Sequence, residues 1–371
     1  MKTVTMKAIL IFLLATIGSQ AVAQTTVPFD SSAWMFAGKV TKETFQGKDG
    51  IRLTDGRIIL KDNTFKNGII EFDMTLSPER NFPGFGFRLQ DTDNFEHLYL
   101  RPHRVGNPDA IQYIPIFNGH DSWQFYYGDG YSTTVTYPMN AWVHIKLVVR
   151  DTQAEVYIGS STEPSLVIHQ LKREPKPGRI SLENGAPVTT HFANFQYTKT
   201  DTPPMSGKFK PEAAPQPGTL LNWQVSSTFD EKLLQTDYLI PQALANRLTW
   251  SNLTAENSGI LNVSKIRKRS EDANTVFTKL TIVSDKPQIK KLDLGFSDRV
   301  NVYLNGRLLY AGHDEFLSRD YRFLGTVGYY DAVYLDLKKG QNELWIAVSE
   351  NFGGWGIQSR IDDQTGLTIK P

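Results

Sequence analysis

Hydrophobic and polar residues alternate along short segments of this chain instead of recurring at helical spacing. In residues 85–90, Phe85, Phe87 and Leu89 fall on one face of a strand, and the residues between them fall on the other. Successive side chains of a strand point to opposite faces, so this alternation predicts half-buried strands. Between residues 26 and 197 the pattern predicts about a dozen short strands separated by turn-rich breaks, and no amphipathic helix.

One face of the next predicted strand, residues 96–101, is polar and aromatic, while Leu98 and Leu100 point the other way. Long planar hydrogen-bond donors beside aromatic rings suit a ligand with many hydroxyl groups. The alternative is a hydrogen-bonded sheet surface beneath a loop. If the two strands are adjacent, the predicted sugar-binding face carries Arg88, Gln90, His97, Tyr99 and Arg101.

Other ligand candidates lie in loops and in an aromatic run. In residues 123–127 one set of rings belongs to a core, and the other set, with Tyr126, is available to stack on a sugar; the pattern does not say which face is outward. Gln112 and Asn118 offer amide groups nearby. Further along, Trp355 in the Gly-rich stretch 350–356 is expected to be exposed and is a candidate for a small ligand site with Arg360 and the loop 319–322. The alternative is that this segment simply closes the sandwich.

A Pro-rich stretch separates two strand-rich regions. Residues 199–218 lack apolar periodicity and predict a linker. Strand patterns return after it, including a hairpin signal at Asn305-Gly306. The predicted fold class is therefore all-β, with two β-sandwich (jelly-roll) domains at residues 24–198 and 219–371.

The first 23 residues read as a secretory signal peptide, with Lys2 and Lys7 before an apolar run and Ala21-Val22-Ala23 at its end. The chain has no Cys, which excludes disulfides, thiolate metal sites and a lipid-modified cysteine anchor. No later segment reaches the ~18–20 apolar residues of a membrane span. We expect a secreted or periplasmic protein that begins near Gln24 and has no membrane anchor.

The net charge of +1 on 371 residues argues against nucleic acid as a partner. The expected partner is an oligo- or polysaccharide, and the sequence does not define an oligomeric state.

The order of several motifs resembles a known superfamily. The segments FKNGIIEFD (65–73), GFGFR (84–88), WVHIKLVV (142–149) and GRISL (178–182) are similar to the concanavalin A-like lectin and glucanase superfamily, and in particular to its laminin G-like modules. Residues 296–312 and 329–356 resemble the galactose-binding-like β-sandwich. The first resemblance implies two stacked curved sheets, with a glycan on the concave face.

Glu71 and Asp73 leave the same face of one strand, at ~6.6 Å between Cα atoms. Retaining glycosidases hold their catalytic carboxyl groups ~5–5.5 Å apart. The glycosidases that the first segment resembles carry a further Glu on the same strand, whereas this chain continues Met74-Thr75-Leu76. Glu71 and Asp73 are thus candidate catalytic residues, and structural or ligand-binding roles are the alternative.

Metal binding has weaker support in the sequence. His97 and His103 share a face about 20 Å apart along an extended strand, which disfavours a shared zinc ion. Oxygen atoms of Asp91, Asp93 and Asn94 remain candidate ligands for a structural calcium ion, because proteins of the superfamily that the chain resembles often bind one.

The leading functional hypothesis is noncatalytic carbohydrate binding by a secreted protein. A glycoside hydrolase of an extracellular polysaccharide is the first alternative, and an extracellular protein-interaction module is the second. Paired carboxyl groups at the floor of a groove would favour the hydrolase, whereas an aromatic floor without them would favour binding.

Overall fold

A computed structural model describes residues 23–185, 188–234 and 238–371. The predicted signal peptide, apart from Ala23, lies outside the described residues. The protein is all-β, as the alternation predicts. Within the described residues, no helix has the length and apolar character needed to cross a membrane.

The N-terminal part of the chain forms one continuous antiparallel sheet in the order β11-β10-β9-β4-β13-β3-β12-β5-β6-β7-β8, with β1 added at β13 and β2 at β3. Its strands are β1 (Gln24–Thr26), β2 (Trp34–Phe45), β3 (Lys48–Leu60), β4 (Gly68–Thr75), β5 (Pro83–Asp91), β6 (Asn94–Leu100), β7 (Ile111–Ile116), β8 (Ser132–Thr133), β9 (Trp142–Arg150), β10 (Gln153–Ile158), β11 (Leu166–Ile168), β12 (Arg179–Asn184) and β13 (Thr190–Lys199).

Strand β3 turns this sheet into a sandwich because it belongs to both layers. Its first half pairs with β13 through residues 50–53, and its second half pairs with β12 through residues 56–59. Gly56 lies at the crossing with φ +109°, where a Cβ atom would come within 2.3 Å of the Ala37 carbonyl oxygen. A left-handed φ and this close approach both require glycine. We call the resulting unit the N-terminal sandwich.

Aromatic and branched side chains from both layers fill the space between them. Phe72 of β4 and Phe85 of β5 are fully buried, and their ring centroids lie 5.1 Å apart in an edge-to-face arrangement. Leu98 and Leu100 of β6 join this core, as the alternation predicts. Burial of each such side chain contributes on the order of 1.5–3 kcal/mol.

The C-terminal part forms a second pair of sheets, the C-terminal sandwich. The larger sheet has the order β15-β14-β17-β22-β19-β20 with β24 beside β17, and the smaller has the order β16-β23-β18-β21. The strands are β14 (Asn222–Ser226), β15 (Trp250–Thr254), β16 (Ile260–Asn262), β17 (Thr275–Ser284), β18 (Gln288–Ser297), β19 (Arg299–Leu304), β20 (Arg307–His313), β21 (Asp331–Leu337), β22 (Gly340–Ser349), β23 (Gly356–Arg360) and β24 (Leu367–Lys370), with one short helix, α1 (Gln242–Ala245).

The segment predicted as a linker packs against the N-terminal sandwich. After Lys199, the last residue of β13, it has no strand or helix, yet the Gly207 amide donates to the Glu155 carboxylate. The Ser206 and Tyr157 hydroxyl groups are 2.9 Å apart, and Lys210 pairs with Asp129. The domain boundaries themselves stay a prediction.

A buried polar contact joins the two sandwiches. The Tyr126 hydroxyl donates to the Glu256 carboxylate over 2.6 Å, and the ammonium groups of Lys172 and Lys265 lie 3.1 and 2.7 Å from the same carboxylate. These contacts fix the loop that follows β7 against the C-terminal sandwich.

Glu96 provides a test of the N-terminal core. Its carboxylate is fully buried and accepts hydrogen bonds from the Tyr113 hydroxyl at 2.7 Å and the Arg173 amide at 3.3 Å. Burial raises the pKa of Glu96 to about 7, and the Tyr113 bond and the Arg88 charge oppose this rise only in part. The folded state therefore keeps a proton that the unfolded chain releases above its usual pKa of 4.5.

We expect the free energy of unfolding to fall as the pH rises from 4.5 to 7, and Glu96→Gln to remove that fall. The variant should match the wild type near pH 4.5 and exceed it by up to about 3 kcal/mol at pH 8. Urea unfolding across this range measures the difference, with the exposed Glu79→Gln as the control. A Glu96→Gln difference that does not vary with pH would contradict the assignment.

Candidate functional site

The predicted sugar-binding face is interrupted by a β-bulge. Pairing between β5 and β6 shifts register between Phe87 and Asp91, and Arg88 has φ +54°. The Arg88 guanidinium therefore turns into the sandwich, where it donates to the backbone oxygens of Lys66 at 2.8 Å and Asp151 at 2.7 Å. The predicted place of Arg88 on this face is wrong, because a bulge reverses the alternation that follows it.

Gln90 lies beyond the bulge and is exposed. Its amide donates to the Pro177 carbonyl oxygen over 3.0 Å, away from β6. The predicted neighbourhood of Gln90 with the residues of β6 is therefore wrong for the same reason.

His97, Tyr99 and Arg101 do lie side by side. The rings of His97 and Tyr99 are stacked with centroids 5.5 Å apart, and Arg101 donates to the Tyr99 hydroxyl over 2.6 Å. Gly84 of β5 leaves room for these side chains, since a Cβ atom there would lie 2.8 Å from His97 Nε2 and 2.9 Å from Tyr99 Cβ. Tyr99 and Arg101 are buried, so little of this row is accessible to a ligand.

The predicted ligand-binding amide and phenol groups lie inside the protein. Gln112 is buried and donates to the Trp123 carbonyl oxygen at 2.9 Å. Asn118 donates to the Ser264 carbonyl oxygen at 2.7 Å, and Tyr126 is buried against Glu256. Asn118 and Tyr126 thus serve the contact between the sandwiches, and Gln112 serves the N-terminal sandwich itself. Alternation within one strand does not reveal such contacts.

The expected exposure of Trp355 is wrong. Its side chain is fully buried in the C-terminal core, where Nε1 donates to the Val348 carbonyl oxygen at 3.0 Å. Arg360 pairs with Asp293 at 3.1 Å instead of joining Trp355 in a ligand site. The Gly-rich segment after β22 closes the sandwich.

Glu71 and Asp73 converge on one imidazole. His144 Nδ1 lies 2.8 Å from the Asp73 carboxylate, and Nε2 lies 3.6 Å from the Glu71 carboxylate. A bulge in β13 at Asn194, with φ +53°, aims that side chain at Asp73 over 2.6 Å, and Lys48 reaches the same oxygen at 2.6 Å. Each carboxylate thus has cationic or amide partners.

These contacts settle the charge states of the cluster. Hydrogen bonds that His144 donates to Asp73 and Glu71 raise the pKa of His144 to about 9. Burial acts to raise the pKa of Asp73, but hydrogen bonds from His144, Lys48 and Asn194 outweigh it and bring that pKa to about 2. The His144 hydrogen bond lowers the pKa of Glu71 as well. Both carboxyl groups are ionised at neutral pH, and a glycosidase needs one protonated carboxyl group as its general acid.

The oxygens considered for calcium have protein partners. The Asp93 carboxylate pairs with Lys268 at 2.6 Å, and the Asp91 carboxylate accepts from the Asp93 amide at 2.8 Å and from the Asn94 side chain at 3.0 Å. In the described part of the chain, no group of three or more His, Asp or Glu side chains has a metal-binding arrangement.

An open cleft of about 420 Å³ lies between the two sandwiches. One wall is Tyr127, which follows the buried aromatic run of the N-terminal sandwich. The other wall comes from the segment between β20 and β21. Its lining residues there are Arg319, Arg322, Phe323, Leu324, Thr326 and Tyr330.

Ion pairs and ring contacts hold the second wall in shape. Arg319 is clamped between the carboxylates of Asp314 and Asp331. Its guanidinium carbon lies 5.8 Å from the Phe323 ring and 5.6 Å from the Tyr330 ring. Tyr330 is nevertheless 52% exposed, so the cleft presents rings to solvent beside a fixed guanidinium group.

Of this wall, only residues 319–322 were predicted from the sequence to take part in a ligand site. A signal was present, since residues 316–330 contain five aromatic residues without strand alternation. An irregular segment has no regular core face, so its rings are either clustered together or exposed to solvent.

A further cavity of about 350 Å³ lies on the C-terminal sandwich around Arg299. The guanidinium of Arg299 is already bound to Glu231, Glu315 and Asn351. Among the described residues that line this cavity there is no Phe, Tyr or Trp side chain.

No protein-family profile matches the sequence, and no curated protein matches it. Several solved structures are similar to about half of the chain. The carbohydrate-binding module CBM66 from Bacillus subtilis has 16% identity and a TM-score of 0.34, covering 44% of this chain and 94% of that one. A Bacillus subtilis protein of unknown function with a galectin-like fold has 12% identity and a TM-score of 0.34, covering 45% and 89%. The Bacillus licheniformis β-glucanase has 12% identity and a TM-score of 0.33, covering 49% and 100%.

The His144 cluster yields a direct titration test. We expect Asp73→Asn to lower the pKa of His144 by more than Glu71→Gln does, because the Asp73 bond is the stronger of the two. A raised imidazole pKa adds stability that is fully present below 6.5 and lost as the pH rises through about 9. Nitrogen-detected NMR titration of the histidines measures both variants.

His120 serves as the internal control for this titration. Burial, with the charges of Arg269 and Lys268, lowers its pKa to about 4, and none of these groups belongs to the His144 cluster. The assigned contact between His144 and Asp73 is wrong if Asp73→Asn does not change the pKa of His144, or if it shifts the pKa of His120 by the same amount.

Proposed function

We propose that the protein binds an oligo- or polysaccharide without cleaving it, in the cleft between the two sandwiches. The observation that carries this proposal is the lining of the cleft by three aromatic rings and two guanidinium groups. The volume falls within the range of roughly 300–1,000 Å³ that is typical of small-molecule sites.

The lining offers the two kinds of contact that a sugar makes. Tyr127, Phe323 and Tyr330 provide ring surfaces for the apolar faces of pyranose or furanose units. Arg319 and Arg322 provide N–H donors for hydroxyl oxygens. Because Arg319 is held by two carboxylates, its donors are oriented before a ligand arrives, which lowers the entropic cost of binding.

Charge states support binding over hydrolysis. Glu71 and Asp73 are both ionised in their His144 cluster, and no carboxylate side chain is among the described residues that line the cleft. A glycosidase of the usual type needs two carboxyl groups with different protonation states at one site. One composite site between the sandwiches would therefore bind the glycan, in place of the two separate sites predicted from the sequence on either side of a linker.

The proposed ligand lies outside the cytoplasm. This part of the proposal rests on the signal-peptide pattern of residues 1–23 and on the absence of Cys from the sequence.

Loss of a cleft ring should weaken glycan binding. We expect Tyr330→Ala and Tyr127→Ala each to reduce affinity at least tenfold, or about 1.4 kcal/mol, through lost stacking surface. Calorimetric titration with laminarin, xylan, arabinogalactan, levan and polygalacturonate measures the effect. Tyr334→Ala is the matched control, because Tyr334 is an exposed tyrosine of β21 outside the cleft lining. Equal affinities of the wild type and both cleft variants would contradict a binding site in the cleft.

Glu71→Gln separates binding from catalysis. We expect neither the wild type nor the variant to release reducing ends from the same five polysaccharides, and both to bind them equally. Acid–base and nucleophilic groups act on the transition state, so their loss abolishes turnover while affinity persists. Wild-type hydrolysis that disappears in Glu71→Gln with affinity intact would establish the hydrolase alternative.

A further inference from the structure

A glutamine of the N-terminal sandwich is inserted into the C-terminal sandwich directly behind the cleft. Gln124 lies between Trp123 and Phe125 and is 1% exposed. Its backbone amide donates to the Gly353 carbonyl oxygen at 3.0 Å, and its carbonyl oxygen accepts from the Val327 amide at 3.1 Å. The main chain of Gln124 thus bridges two loops of the other sandwich.

The Gln124 side chain makes two more bonds of opposite kind. Nε2 donates to the Leu324 carbonyl oxygen at 3.3 Å, and Oε1 accepts from the Ser297 hydroxyl at 2.6 Å. A primary amide both donates and accepts, whereas a carboxylate only accepts and a thioether offers only a weak acceptor. Leu324 and Ser297 are therefore satisfied together by an amide at this position.

Two glycines shape the socket that receives this side chain. Gly325 has φ +73°, and a Cβ atom there would lie 2.2 Å from Gln124 Nε2. Gly353 has φ +109°, and a Cβ atom there would lie 2.5 Å from Gln124 Oε1. Left-handed backbone and close approach at both positions favour glycine and leave space for the amide.

The residues held by Gln124 belong to the wall of the cleft. Leu324 and Thr326 line it on either side of Gly325, and Val327 follows. Trp123 braces the same loops through ring contacts with Phe316 at 6.1 Å and Phe352 at 5.7 Å. The segment has no strand hydrogen bonds of its own, so these contacts hold it in place.

We propose that Gln124 is a positioning residue of the cleft. It fixes the wall formed by residues 324–330 opposite Tyr127, and glycan affinity depends on it although it does not line the cleft. This inference rests on the proposed function. If the wall is ordered before binding, less conformational entropy is lost when the ligand binds, and affinity is higher.

Gln124→Met in the full chain tests the inference, since methionine keeps the side-chain volume and removes both amide bonds. We expect affinity for the glycan that binds the wild type best among the five polysaccharides to fall at least tenfold. We expect amide hydrogen exchange to rise in residues 320–330 and near Gly353, while the sheets of both sandwiches keep their protection. Ser297→Ala, which removes one of the two side-chain bonds of Gln124, should act in the same direction and less strongly.

Asn342→Leu is the matched control for the loss of a buried amide. Asn342 of β22 is buried and donates to the Lys338 carbonyl oxygen at 2.8 Å and the Gly340 carbonyl oxygen at 3.1 Å. These bonds lie at the turn between β21 and β22, at the opposite end of β21 from Tyr330. We expect this variant to lose stability without losing glycan affinity. An equal loss of affinity in Asn342→Leu would reduce Gln124 to a general structural role and overturn the inference.

Two further outcomes are distinguishable. Wild-type affinity retained by Gln124→Met overturns the positioning role and leaves the proposed function standing. If the wild type binds none of the five polysaccharides, the proposed function fails. Amide hydrogen exchange of Gln124→Met then tests the inference alone. A rise in exchange confined to residues 320–330 and Gly353 supports the positioning role, and unchanged exchange or a rise throughout the protein overturns it.

Discussion

The buried carboxylate of Glu256 holds the two sandwiches in one arrangement. Burial acts to raise its pKa, but the charges of Lys265 and Lys172 and the Tyr126 hydroxyl outweigh that effect and keep it ionised. Removal of one partner from a buried ion pair leaves an uncompensated charge and costs about 3–5 kcal/mol. This contact acts together with the Gln124 socket and the Asn118–Ser264 hydrogen bond to hold Tyr127 opposite the irregular segment of the C-terminal sandwich, where the cleft lies.

The sequence allowed the fold class to be predicted, because alternation reports which side of a strand is buried. It placed Leu98 and Leu100 in the core correctly. It failed at Arg88, where β5 has one residue more than β12 between their paired positions and the side-chain direction reverses. It failed also at Trp355, since a Gly-rich segment gives no indication of whether its one large side chain points inward.

The site was harder to predict than the fold for a physical reason. Asn118 and Tyr126 have the chemistry of sugar ligands, yet their hydrogen bonds go to Ser264 and Glu256, more than a hundred residues away in sequence. Contacts at that separation follow from how two folded units meet, and no local pattern encodes them. Tyr330 illustrates the converse, because an irregular segment gives no periodic signal even when its rings reach solvent.

The pairing of β1 with β13 has a consequence for how the N-terminal sandwich is made. Gln24 lies opposite Thr198, and β3 lies between β13 and β12. Strands β1 and β3 are synthesised early but pair with β13, which is synthesised last in this sandwich. The layer therefore cannot close until nearly two hundred residues have left the ribosome. Contacts of such long sequence separation slow folding, and they leave unpaired strand edges exposed to other chains in the meantime. A chaperone that shields nascent strand edges would therefore act on the N-terminal sandwich more than on the hairpin β19–β20, whose two strands pair across the turn at Asn305-Gly306.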